Sequence, residues 1–261
     1  MLRKVLCFLI FVVSICFSKE MTIFKNGQLN CVIVLPDNST KGEEYAGKVL
    51  SEYILKTTDK EISIIKECFS TDLIKINIGK TEYTKKNIKE ELDEEGFIID
   101  FPDDKNIIIY GGDDSGTLFG VYEFCERFLG VRWLFPGELG EHTPKHNKLV
   151  IPSEKIKEEP YFKSRRLSGR GFSTTTIWEK ETGPNHIWTN RLRGIGRVEF
   201  HHNLLNLFPP EKYKDTKPEI FPIINGERYF PIKDEKDPTW YLHGWQPCFS
   251  NPETVNEAIK N

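Results

Sequence analysis

The side chains of this 261-residue sequence that could do chemistry fall into four groups. Arg165 and Arg166 stand side by side. A planar guanidinium offers the two-pronged donor that suits a carboxylate, such as that of a uronic acid, though the same pair could form a salt bridge between domains. His201 and His202 are also adjacent, placed to face a pocket or to sit in a core. Trp178, Trp188 and Trp245 present flat apolar faces that either stack on a sugar ring or fill an interior. Glu138 and Glu141 make a carboxylate pair in a glycine-rich loop, but three residues of loop fix no distance between carboxyl groups. They read as loop residues at a domain junction.

Two further patterns point away from a cofactor. Gly111-Gly112 followed by Gly116 matches neither dinucleotide nor P-loop spacing, so the turn is read as a packing feature. His142 and His146 are four apart, but Pro144 between them opposes the helix that would bring both to one metal. We expect no cofactor and no metal. The formal net charge of −3 supplies no basic surface for nucleic acid. Cys31, Cys68, Cys125 and Cys248 have no CxxC spacing, so no disulfide framework is required.

The elements that must position these residues centre on the stretch from Gly111 to Glu138. Leu118, Val121, Tyr122, Cys125, Phe128 and Leu129 recur on one helical face, with Glu123, Glu126 and Arg127 opposite. Asp114 or Ser115 is the expected N-cap and Gly130 the left-handed stop. Upstream, Leu29–Leu35 predicts a strand, and Ala46, Val49, Leu50, Tyr53 and Ile54 a helix capped by Ser39 or Thr40 with Glu43 after it. Strands follow at 62–66 and 73–78, then a charged helix over about 82–92. A hairpin joins 96–101 to 106–110 through Pro102-Asp103-Asp104-Lys105. The alternation predicts an α+β domain over residues 19–151, with helices on one mixed sheet, and a polar linker over 152–160. Beyond it lie four of the five tryptophans and many prolines, the composition of a loop-rich, aromatic-lined domain over 161–261. Asn251-Pro252-Glu253 opens a last helix with a cap, proline at the first position and a carboxylate in the first turn.

Gly116-Thr117-Leu118-Phe119-Gly120-Val121-Tyr122, Leu129-Gly130-Val131-Arg132-Trp133-Leu134-Phe135-Pro136-Gly137 and Glu158-Glu159-Pro160 resemble the N-terminal domain of alpha-glucuronidases and the second domain of beta-hexosaminidases. Layout agrees across most of Val32 to Pro160, and His201-His202-Asn203 and Pro209-Pro210-Glu211-Lys212-Tyr213 extend the likeness to a group of secreted bacterial proteins. The resemblance implies a small accessory domain followed by the first part of a (β/α)8 barrel, truncated here because about 250 residues are the usual size. It implies a glycoside-hydrolase-like protein of carbohydrate metabolism, with a non-catalytic glycan-binding or interaction module as the alternative. Arg165 and Arg166 would lie on the first barrel strand and His201 and His202 near the end of the next. Together with Trp188 they form the expected glycan-binding set, and the catalytic acids are not identified.

Residues 1–18 read as a secretory signal: Arg3 and Lys4 precede the apolar run Val5–Phe17, too short for a spanning helix, and small residues lead up to Lys19. Removing it leaves 34 basic and 39 acidic residues. The expected location is the periplasm or the exterior, with no membrane association beyond export. N-terminal sequencing of the exported protein should return a start near Lys19; a start at Met1 would refute export.

Overall fold

The computed structural model describes residues 20–165, 183–195, 204–231 and 245–261. Residues 1–19, Arg166, Trp178, His201 and His202 lie outside these residues. The chain divides into two compact units, Met1–Arg197 and Val198–Asn261.

The first unit is built on a six-stranded mixed sheet, in the order β11 (Ile156–Glu158), β6 (Phe97–Asp100), β7 (Asn106–Gly111), β5 (Ile74–Ile78), β3 (Cys31–Leu35) and β4 (Ile64–Lys66). The four strands from β7 to β4 run parallel, while β6 and β11 are antiparallel to their neighbours. Buried parallel strands carry apolar residues on both faces, which is why β3 reads Cys-Val-Ile-Val-Leu with every position buried. Helices α1 (Lys41–Thr58) and α3 (Asp114–Phe128) pack on one face, where Leu50, Ile54, Leu118, Val121 and Cys125 are fully buried against Ile33, Ile76 and Ile109. A smaller cluster of Ile88, Ile98 and Ile108, with Tyr83 and Leu92 against it, makes up a second core. The expected α+β class and the 96–110 hairpin are both present.

Several differences have plain causes. The charged helix α2 covers only Glu82–Asn87, because Ile88 turns into extended backbone and buries its side chain. A three-stranded antiparallel sheet joins β10 (Lys148–Pro152), β1 (Glu20–Lys25) and β2 (Gln28–Leu29), and its tight turn uses Asn26 and Gly27 at positive φ. The stretch 152–160, read from composition as a linker, contributes β11 to the sheet edge. The α1 cap is Thr40, in a reciprocal capping box with Glu43. The α3 cap is Asp113 rather than Asp114 or Ser115: its carboxylate accepts from the Gly116 amide at 2.7 Å, while Asp114 accepts from the Thr40 hydroxyl at 2.8 Å.

The glycine turn between β7 and α3 exists for close packing. A Cβ on Gly116 would lie 2.3 Å from the Gly96 carbonyl oxygen, and one on Gly112 would lie 2.4 Å from that of Asp93. Only glycine lets the 93–96 backbone approach this closely.

In the second unit Phe208, Tyr213, Ile220, Phe221 and Trp245 form a core. The helix Pro252–Lys260 is attached there through Glu257, which accepts from Tyr213, Lys217 and Lys260. These donors, Lys217 foremost, hold the Glu257 carboxyl down to about 2. Its described strands, Ile223–Ile224 and Glu227–Arg228, pair antiparallel.

Val121→Asp should unfold the first unit. A carboxylate on this fully buried face loses hydration without a partner, a cost of several kcal/mol against a total of about 5–15. Circular dichroism melts matching those of the wild type would refute the burial.

Candidate functional site

The loop preceding β6 brings Glu95 into the interior. Glu95 has φ 65° and is 3% exposed, and its amide donates to the Asp113 carboxylate at 3.1 Å. The helix cap thus also fixes the loop that carries the acid. The Glu95 carboxylate meets Arg165, whose Nη2 lies 2.5 Å away. The rest of the Arg165 guanidinium donates to protein carbonyls, Nε to Arg193 at 2.8 Å and Nη1 to Phe162 at 2.7 Å. Backbone pairing of Arg165 with Ile195 completes the attachment.

Helix α4 (Pro184–Arg191) begins with proline in its first turn and ends where Arg193 adopts φ 57°. That ending sets two arginines on the first unit's acidic groups. Arg191 places Nη1 3.0 Å from Glu141 and its guanidinium carbon 5.6 and 5.5 Å from the ring centres of Tyr53 and Trp133. Arg193 bridges two acids of α3, Glu123 and, at 3.1 Å, Glu126. Between them the Trp188 indole nitrogen donates to the Trp133 carbonyl at 3.0 Å. Three arginines and one tryptophan of residues 165–193 therefore converge on four carboxylates and an indole of the accessory half.

The electrostatics differ from acid to acid. Burial would push the Glu141 carboxyl up, but hydrogen bonds from Lys56 and Tyr53, each 2.7 Å, and the Arg191 charge hold it below the usual range. At Glu126 burial prevails over Arg193 and the carboxyl is raised. The Tyr53 hydroxyl is pushed up by burial and by the Glu141 carboxylate it donates to.

A cleft of about 250 Å³ opens beside this cluster. Phe97, Phe119, Pro160 and Leu192 form its apolar lining, and Glu95, Glu158, Glu159, Arg165 and Arg193 its polar one. Glu159 accepts from the Asp93 amide at 3.0 Å. No cluster suited to a metal ion occurs among the described residues.

Of the expected glycan-binding residues, Arg165 and Trp188 are thus placed against the accessory half, and Arg166, His201 and His202 lie outside the described residues. Trp245 belongs to the core of the second unit. Glu123 and Glu126, expected on an exposed face, are covered by Arg193, and Glu123 is 8% exposed. Glu141 is held by Tyr53, Lys56 and Arg191, all within the first unit. Sequence reasoning missed Arg191 and Arg193. Their signal was two acids three apart on one face of α3, with only Arg127 of that helix to pair them.

Residues 24–124 match the family described as glycosyl hydrolase family 67 N-terminus, and residues 135–261 match DUF4838, a domain of unknown function. No curated protein sequence matches the chain. Similar solved structures include a family GH115 4-O-methyl-alpha-glucuronidase with specificity for decorated arabinogalactans, at 10% identity and TM-score 0.40 over 56% of this chain and 19% of that one. The GH20 beta-N-acetylhexosaminidase from Streptomyces coelicolor A3(2) follows at 14% identity and TM-score 0.39, over 56% and 24%. The beta-N-acetylhexosaminidase from Bacteroides fragilis NCTC 9343 gives 16% and 0.35, over 57% and 23%. The chain therefore spans only a fifth to a quarter of the length of these proteins.

One consequence for pH follows from Glu141. Its folded carboxyl is held lower than an unfolded glutamate's, so it adds stability above the unfolded value, and that contribution is lost as pH falls through the folded one. Glu141→Gln should cost about 1–3 kcal/mol at pH 7, the range for hydrogen bonds to charged groups, and should weaken the stability loss between pH 5 and 3. Thermal melts across that range, identical for the two proteins, would refute the assignment. Over residues 24–124 the chain resembles the N-terminal domain of family 67 glycosyl hydrolases.

Proposed function

We propose that this is an exported carbohydrate-active protein. Its family 67-like domain serves as a non-catalytic scaffold, and the residues beyond Pro160 engage glycans carrying uronic acid or amino sugars. The observation that carries the reading is the family 67 match over residues 24–124. The leader-like segment at Arg3, Lys4 and Val5–Phe17 supports export, since a polysaccharide substrate lies outside the cell.

Within that reading the candidate residues separate by task. Arg165 and Trp188 hold their segment to the scaffold, because their donors are engaged by Glu95, Phe162, Arg193 and Trp133. Arg166, His201 and His202 are proposed as the groups that meet the glycan, with the Arg166 fork directed to a uronate carboxylate. The acids around the cluster, Glu95, Glu123, Glu126 and Glu141, each pair with an arginine. A carboxylate already engaged by an arginine of the same chain is not presented to a departing sugar, as glycoside hydrolysis requires of its two carboxyls. We assign none of the four to catalysis.

The test uses the purified 261-residue chain. It should be retained on immobilised glucuronic-acid-bearing oligosaccharide without turning over aryl-glucuronides or aryl-N-acetylhexosaminides. Arg166→Ala should weaken retention while leaving the melt unchanged, whereas Arg165→Ala should lower the melt. Turnover that survives purification would make the chain a catalyst, and retention indifferent to Arg166→Ala would remove that residue from the site.

A further inference from the structure

Glu126 takes its only ion pair among the described residues from Arg193. Glu123 and Glu141 each have a cation from their own half, Arg127 and Lys56, yet both also take an arginine from residues 191–193. These two acids have side chains only 10% and 11% exposed, and that of Glu95 is 1% exposed. Carboxylates at such depth are costly when a partner is removed, because the remaining charge stays buried and unpaired. The contacts also suit the broad, planar guanidinium. Arg193 reaches two carboxylates from one nitrogen with its charge spread over the fork, and Arg191 lies over two aromatic rings while donating to a third group.

We propose that the face formed by Glu123, Glu126 and Glu141 is an arginine-reading receptor whose partner is residues 183–195 of this same chain. Through it the accessory domain clamps that segment as a fixed wall, so its cooperative folding unit runs to about residue 195. Two features of the segment support a shaped docking piece. Gly194 is packed so that a Cβ would lie 2.6 Å from the Thr189 methyl carbon, and Arg193 keeps a left-handed backbone that swings its side chain onto α3.

Hydrogen exchange read by mass spectrometry on the full chain tests the clamp. In Arg193→Ala, amides of residues 185–195 should exchange about tenfold or more faster, while those of β5 and β7 keep their protection. Arg193→Lys should fall between, since an ammonium keeps the charge but lacks the planar fork, and this variant serves if the alanine variant fails to fold. Adding Glu123→Gln and Glu126→Gln to Arg193→Ala should restore the melting temperature toward wild type, with the segment still exchanging fast. That split separates the burial of unpaired charge from a simple loss of contact. Wild-type exchange of residues 185–195 in both Arg193 variants would overturn the proposal, as would a melt in the triple variant no higher than in Arg193→Ala. Neither outcome bears on glycan retention, which is measured separately.

Discussion

The structure depends on carboxylates that are buried and must be answered. Glu95, Glu123 and Glu141 have side chains exposed by only 1%, 10% and 11%, which rules out solvation as the main compensation, and Glu126 beside them is partly covered. Arg165, Arg191 and Arg193 supply that compensation from outside the sheet. Continuum reasoning holds that such pairs seldom raise stability above that of an apolar contact of the same shape. What they add is selectivity: an apolar patch would accept many segments, whereas three arginines must meet their acids in one arrangement.

The same logic governs the carboxyl ends of the parallel strands. In many α/β sheets anions bind there, at helix N-termini reached by a glycine turn. Here the protein's own carboxylates occupy those positions. Glu43 accepts from the Thr40 and Lys80 amides at 2.9 and 2.8 Å, and Asp113 accepts from Gly116 and Glu95. In the glycine turn the Gly112 amide donates to the Gly96 carbonyl at 3.0 Å and that of Gly111 to the Thr117 hydroxyl at 3.2 Å.

Much of the fold could be read from local patterns because its determinants are local. Helical spacing at Leu118–Leu129, the Thr40–Glu43 box, the left-handed Gly130 and the Asn251-Pro252 start each act within one turn. What escaped reading is non-local. Strand β1 is defined by pairing with β10, more than a hundred residues away, and β11 is too short and polar to differ from a linker until β6 lies beside it. Glu123 follows a helical pattern that marks it as solvent-facing, and only an arginine 70 residues later makes it buried. The site suffered most for this reason: Arg165 was recognisable as a charge with a purpose, but its acceptor at Glu95 could not be inferred from spacing.

The pairing of β1 with β10 also has a kinetic meaning. One strand lies at the start of the domain and the other near residue 150, paired from Glu20–Pro152 to Lys25–Lys148 with a register shift between Thr22 and Phe24. Closing so long a loop is entropically unfavourable and slow. On a chain emerging amino end first, the first strand must wait, unpaired along that edge, until almost the whole domain has followed it. The domain's earliest residues are thus among the last to reach their final neighbours, and the three-stranded sheet closes only after the parallel core that it flanks is available.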